Sequence, residues 1–147
     1  MKKQLVVVAG ALSAVVLLTA FGSGRFGCGG TPEERFDRAK GYAQDKIDDR
    51  LDDLDATDAQ RARIAELQRS LFAEARPLFL SHQQTKQELL HELQGQTPDA
   101  ARLHALVDAR VAAYQAMAHR LVDASVEVHA LLTPEQRAEL QREFGER

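Results

Sequence analysis

The stretch L-T-P-E-Q-R at residues 132–137 repeats the pattern of A-T-D-A-Q-R at residues 56–61. In each copy the threonine hydroxyl can accept a hydrogen bond from the amide of the glutamine three positions later. The glutamine side chain can in turn reach back to the threonine amide. This reciprocal pair is a strong signal for the N-terminus of an α-helix. The capping side chains that the two copies predict are Thr57, Gln60, Thr133 and Gln136.

Two further helix starts complete the set. T-P-E-E at residues 31–34 has a capping threonine, a proline suited to the first helical position and a glutamate at the capping-box position. In the turn at residues 95–99 we expect Thr97 to cap the next helix. Pro77 lies inside the second helix, where a missing backbone donor predicts a kink or short break. The predicted helices cover about residues 31–54, 57–94, 98–132 and 133–144.

The third helix carries a heptad seam. Its members alternate at spacings of four and three residues, which is the pattern of a helix that packs along another helix. They are Leu103, Val107, Arg110, Tyr114, Met117, Leu121, Ala124, Val128 and Leu131. The partner is either the second helix or a second copy of the chain. The fold class is therefore all-α, a long helical hairpin of about four helices, and the thin core of so small a body favours a homodimer.

Composition narrows the class of function. The chain has 147 residues, one cysteine, no tryptophan and a formal net charge of −3. An acidic body argues against nucleic acid as a partner, because the phosphate backbone favours a basic face. The sequence offers no phosphate-binding loop, nucleophile elbow or paired catalytic carboxylates. We therefore predict a protein that is not an enzyme and needs no cofactor.

The N-terminus indicates export. Residues 1–22 combine a short basic start with an apolar run from Leu5 to Phe21, which is typical of a signal peptide. The run is also close to the minimum length of a membrane-spanning helix, so an uncleaved membrane anchor is the alternative. Residues 23–30 form a Gly-rich linker, and residues 31–147 form the helical domain. Cys28, in the linker, has no partner for an internal disulfide.

The paired T-x-x-Q starts, in a short helical body behind an export signal, resemble the Spy/CpxP family; the first copy has Ala56 where the second has Leu132. The resemblance implies a periplasmic protein, an antiparallel cradle-shaped homodimer and a chaperone that needs no ATP and shields unfolding envelope proteins. Some members also restrain a sensor kinase. The metal-linked relatives ZraP and CnrX make a heavy-metal sensor or metal-resistance accessory protein the alternative. The motif residues would then be structural caps.

An apolar group in the second helix is the candidate client-binding patch. It is wider than one helical stripe, because three adjacent apolar residues point about 100° apart. Its members are Leu71, Phe72, Leu78, Phe79 and Leu80. The alternatives are a dimer interface or a fuller core around Pro77. Three nearby cations, Arg69, Arg76 and Lys86, could attract acidic clients or form plain solvated surface.

Two sets of possible metal ligands have simpler interpretations. The aspartates between residues 45 and 55 lack the glycine turn and alternating oxygens of a calcium loop, so a solvated acidic face is expected. The five histidines lie nine or more residues apart, whereas two ligands on one helix need a spacing of three or four. They are His82, His91, His104, His119 and His129. We therefore assign no metal site from the sequence.

Overall fold

The computed structural model describes residues 30–145, with side chains as far as Arg142. Within these residues there are four helices and no strand: α1 Pro32–Asp53, α2 Asp58–Gln94, α3 Ala100–Leu131 and α4 Pro134–Gly145. The prediction of an all-α fold with four helices is confirmed. The predicted leader, Cys28 and all of the linker except Gly30 lie outside the described residues, as does the side chain of Phe144. The homodimer stays a prediction.

Three of the four helices begin with a threonine cap. The amide of Glu34 donates to the Thr31 hydroxyl at 3.2 Å, and that of Gln60 donates to the Thr57 hydroxyl at 3.3 Å. The side chains of Glu34 and Gln60 accept from the threonine amides in return. The start of α4 repeats this geometry. These local hydrogen bonds satisfy amides that the helix itself cannot pair, which explains why the motifs fix the helix bounds.

Two details of the helix bounds differ from expectation. Helix α3 begins at Ala100 and its cap is Asp99, not Thr97; the Asp99 carboxylate accepts from the amides of Ala101 and Arg102 at 2.9 and 3.2 Å. A carboxylate interacts more favourably than a hydroxyl with the positive end of the helix dipole. The expected short break at Pro77 is absent, because α2 is continuous from Asp58 to Gln94.

The helices run antiparallel, and three apolar clusters hold them at one end of the hairpin. The first cluster joins α1, α2 and α3 through Phe36, Ala43, Leu71, Phe72, Ala75 and Leu121. The second joins the same helices through Ile47, Leu51, Ala56 and Ile64, with Val128 and Leu131 against it. The third attaches α4 through Leu54, Leu132 and Leu140. The core therefore lies at the end where the two T-x-x-Q motifs meet.

The other end of the hairpin is a two-helix arm, formed by residues 78–94 of α2 and residues 100–116 of α3. Between Arg76 and Arg120 no residue is buried. In the heptad seam, Leu121 is buried, and Met117, Ala124, Val128 and Leu131 pack against the core. Val107 and Tyr114, in the arm half of the seam, are exposed. Helix α2 is thus the seam's partner near the core, while the arm presents much of its apolar surface to solvent.

Candidate functional site

The two T-x-x-Q motifs meet, although 76 residues separate them. The side-chain amide of Gln60 donates to the carbonyl of Leu131 at 2.8 Å, at the end of α3. The side-chain amide of Gln136 donates to the carbonyl of Leu54 at 3.0 Å, at the end of α1. Each glutamine therefore caps its own helix and also binds the last turn of the helix that precedes the other motif. The arrangement joins both helix junctions into one structural unit.

Part of the predicted client-binding patch is buried in the monomer. Leu71 and Phe72 are 4% and 5% exposed, so neither is free surface in the monomer, and their role in client binding stays a prediction. Phe72 is covered by Phe36 of α1, whose ring meets that of Phe72 edge to face at 6.5 Å, whereas Leu71 lies on the side of α2 that faces α3. Periodicity within α2 could not predict this contact, because the covering residue comes from another helix. For Leu71 and Phe72 the alternative of a fuller core describes the structure.

The other three patch residues are half-buried. They are Leu78, Phe79 and Leu80, and they lie where the core end of the hairpin stops and the two-helix arm begins. The Phe79 ring contacts the Phe36 ring with centroids 5.6 Å apart. Leu78 also lines an open groove between α2 and α3. These residues retain accessible apolar surface at the edge of the core.

An open groove of about 660 Å³ runs between α2 and α3 beside this edge. Its apolar wall includes Pro77, Leu78, Leu106 and Met117, and small alanines of α3 form much of the rest. Arg110 crosses the groove: its guanidinium donates to the Ser81 hydroxyl at 2.6 Å and to the Leu78 carbonyl at 2.7 Å. The polar seam position at Arg110 thus connects the two helices of the arm.

A second apolar surface, which the sequence analysis did not single out, lies along α3. We call it the apolar stripe, and its exposed fractions run from 45% to 64%. Successive members lie three, four or eight residues apart, so they share one side of the helix, next to the side that packs on α2. At 1.5 Å per residue the stripe is about 28 Å long. Its members are Val107, Val111, Tyr114, Val122 and Val126.

The sequence contained a signal for this stripe. Val111, Val122 and Val126 recur at helical spacing beside the heptad seam, and the seam itself included Val107 and Tyr114. A single seam accounts for one buried side of a helix, whereas α3 is apolar over two adjacent sides. The second side has no intramolecular partner among the described residues, since its members remain exposed.

Ion pairs between α2 and α3 border the core. Arg120 pairs with Glu74 at 3.0 Å, and Arg63 pairs with Glu127 at 2.5 Å. The hydrogen bonds from Arg120, and a further one from Ser70, hold the pKa of the Glu74 carboxyl below its ordinary value. Both pairs are partly exposed, so each contributes little to the free energy of unfolding and mainly fixes the orientation of α3 on α2.

The three predicted basic residues have different surroundings. Arg76 pairs with Asp37 at 3.2 Å and its guanidinium lies 5.6 Å from the centre of the Phe36 ring. Arg69 donates to the Ala65 carbonyl of its own helix. Lys86 is exposed on the arm. Arg76 therefore belongs to the contact between α1 and α2.

The possible metal ligands do not converge. All five histidines are exposed, at separate places on α2 and α3. In the acidic segment, Asp49 pairs with Lys46, Asp53 with Arg50 and Asp52 with Arg61. Among the described residues no three His, Cys, Asp or Glu side chains group closely enough to hold a metal ion. Helices α1 to α4 also include none with the length and apolar content that a membrane span requires.

Comparison with known proteins identifies the family. Residues 43–144 match the description "LTXXQ motif family protein", and this range contains both T-x-x-Q motifs, the arm and the apolar stripe. Curated proteins and solved structures gave no significant match. The match covers more than half of the chain and confirms the resemblance drawn from the two motifs. The chain belongs to the LTXXQ motif family, which is the Spy/CpxP-type family.

Proposed function

We propose that this protein is a periplasmic chaperone that shields apolar segments of unfolding envelope proteins without using ATP. The observation that carries the proposal is the apolar stripe on α3, which no other helix covers within residues 30–145. Contiguous apolar surface on a soluble helical body is typical of a surface that binds other proteins. Family membership supports the same conclusion, because proteins of this family are typically periplasmic and not enzymes.

The chemistry of the stripe suits weak, reversible binding. Four of its five members are valines, each of which stabilises a complex by at most about 1.5–3 kcal/mol when fully buried. It lacks the tryptophan and arginine anchors that dominate tight interfaces, with Tyr114 as the one aromatic residue. Many modest contacts favour any exposed apolar segment over one particular sequence. A client could therefore leave as it folds, with no need for nucleotide-driven release.

We place the predicted antiparallel homodimer at the two-helix arm. The arm buries no residue and exposes Leu90 and Leu93 on α2 as well as the beginning of the stripe on α3. At the core end of the hairpin, α1 packs against α2 and α3 as a third helix. In the dimer, the arm of a second copy would cover the two helices of the arm in the same way. The end of the stripe at Val122 and Val126 lies outside the arm, and would remain open to clients in this dimer.

The experiment is an aggregation assay with purified protein and reduced α-lactalbumin, followed by light scattering. We expect suppression at a stoichiometric ratio. Changing the four valines of the stripe to threonine keeps their shape but replaces one methyl group of each with a hydroxyl, and should remove most of the suppression. The matched control changes four exposed alanines of α3 outside the stripe to serine: Ala101, Ala105, Ala112 and Ala130.

Three outcomes of this assay are informative. Suppression that is lost in the valine variant and kept in the alanine control supports the proposal. Absence of suppression by the unmodified protein at every ratio contradicts it. Equal loss in both variants contradicts the role of the stripe and indicates a general effect of altered α3 surface.

A further inference from the structure

We infer that the first ten residues of α1 are a releasable cover over a second, stronger client-binding site. The cover is residues 32–41, and the covered site consists of Phe72 and Phe79. The inference rests on the proposed function and deepens it, because it assigns that function a gated site. It also gives a physical role to apolar residues that are closed off in the monomer.

The cover is held down chiefly by one side chain. Phe36 is 3% exposed, and its ring contacts both Phe72 and Phe79. Within residues 32–41 it is the one buried residue. If the cover moves away, the rings of Phe72 and Phe79 become accessible together. These two residues would form an aromatic patch, and aromatic rings bury more apolar area than the valines of the stripe.

Two further ties of the cover lie at the surface. Asp37 pairs with Arg76 at 3.2 Å, with side chains 62% and 43% exposed. The Lys40 ammonium lies 6.0 Å from the centre of the Phe72 ring, at the outer limit for a cation–π contact. Solvent-exposed contacts of this kind contribute little to stability. Releasing the cover therefore means removing Phe36 from the core, separating its ring from the Arg76 guanidinium and breaking weak contacts at the surface.

The second half of α1 is anchored differently. Ile47 and Leu51 are almost fully buried in the second cluster. Arg61 of α2 donates to the Leu51 carbonyl at 2.9 Å and pairs with Asp52 at 2.8 Å. This half is followed directly by the turn between α1 and α2, which Gln60 and Gln136 stabilise through their hydrogen bonds. The anchored half can stay in place while the cover opens.

Gly41 lies at the boundary between the two halves. A methyl group built on Gly41 would find nothing within 4 Å, so packing does not require glycine there. Glycine in a helix interior weakens the helix because it has more backbone freedom to lose. The family match begins just beyond it, at Ala43. A weak helical position without a packing reason, placed between a lightly held segment and a firmly held one, is suited to act as a hinge.

The test measures amide hydrogen exchange of the full chain together with client protection. We expect amides of residues 33–40 to exchange at least tenfold faster than those of residues 45–53. Gly41→Ala should slow exchange in the cover about two- to fivefold and reduce suppression of α-lactalbumin aggregation. Asp37→Lys, which repels Arg76, should speed exchange there and increase binding of the dye 1-anilinonaphthalene-8-sulfonate. Asp45→Ala and Asp48→Lys are the matched controls in the anchored half.

The outcomes separate the cover from the proposed function. Exchange at one uniform slow rate throughout α1 overturns the cover. Suppression that is unchanged in Gly41→Ala, despite slower exchange in the cover, also overturns it while leaving the chaperone proposal standing. If the cover opens and Asp37→Lys binds more dye, yet the protein never suppresses aggregation, the cover stands and the proposed function fails.

Discussion

The side-chain amides of Gln60 and Gln136 face each other as a reciprocal pair, with N–O distances of 2.9 and 3.2 Å. Each oxygen also accepts from the amide of its own capping threonine, and each nitrogen also donates to a helix-terminal carbonyl. Every donor and acceptor of both amides is therefore used. A fully satisfied polar pair in a partly buried position fixes one geometry, because any displacement leaves several groups unpaired.

This pair leads to the first prediction, which concerns coupling. Gln60→Ala and Gln136→Ala should each lower the free energy of unfolding by about 2–3 kcal/mol, since each leaves a partly buried carbonyl and an amide unpaired. The double variant should lose about 1 kcal/mol less than the sum, because the second change removes partners already lost. Urea unfolding of the four proteins measures the coupling. Gln83→Ala, on the exposed surface of α2, is the control; strict additivity would contradict a shared structural unit.

A second prediction concerns pH. The pKa of Glu74 is lowered in the folded state, mainly by the hydrogen bonds from Arg120, from an ordinary value of 4.5. Stability from this group is therefore present above that value and is lost as the pH falls through the lowered pKa. Glu74→Gln should cost less than about 1 kcal/mol near pH 7, because the pair is partly exposed.

The difference between unmodified protein and Glu74→Gln should then shrink towards zero as the pH falls from 4.5 through the lowered pKa of Glu74. Urea unfolding over a series of decreasing pH values makes the comparison. Glu88→Gln is the control, since the Glu88 carboxylate accepts a hydrogen bond from Gln84 of the same helix. A difference that persists unchanged in acid would mean that the ion pair is not its source.

The third prediction concerns Pro77. Helix α2 continues through it, so an interior turn lacks one backbone donor. Pro77→Ala should restore that hydrogen bond and raise the free energy of unfolding by about 1–2 kcal/mol, after allowing for the more flexible unfolded chain. Thermal unfolding measured by circular dichroism tests this. A loss of stability would instead show that the proline ring, which lines the groove, is needed to hold α2 against α3.

Whether the sequence could predict an interaction depends on how far apart in the chain the two residues lie. The caps at Thr57 and Thr133 depend on residues three positions apart, so local patterns identified these helix starts. Placing the cap at Thr97 was wrong because Asp99, two residues on, offers a carboxylate to the same helix end. The contact of Gln60 with Gln136 was not predictable, because capping alone accounts for both residues.

In the candidate site, too, patterns within one helix were predictable and contacts between helices were not. Patterns along α2 identified Leu71 and Phe72 as apolar residues beyond a simple stripe, but not what covers them. The burial of Phe72 depends on Phe36, which the turn at Leu54–Thr57 brings onto α2, and that of Leu71 depends on the packing of α2 against α3. The exposure of Val111, Val122 and Val126 likewise depends on where α2 meets α3. Whether an apolar helical face is core or free surface is a property of the packed helices, not of one helix.

A methyl NMR titration of the protein with unfolding, reduced α-lactalbumin reports directly on whether the apolar stripe binds the client. We predict that methyl signals of Val122 and Val126 shift or broaden as the client is added, because this end of the stripe stays open outside the dimeric arm. Val128 packs against the second cluster and serves as an internal control that should change little. Signals of Val122 and Val126 that stay unchanged while the client is protected, or change no more than that of Val128, would contradict the proposed function.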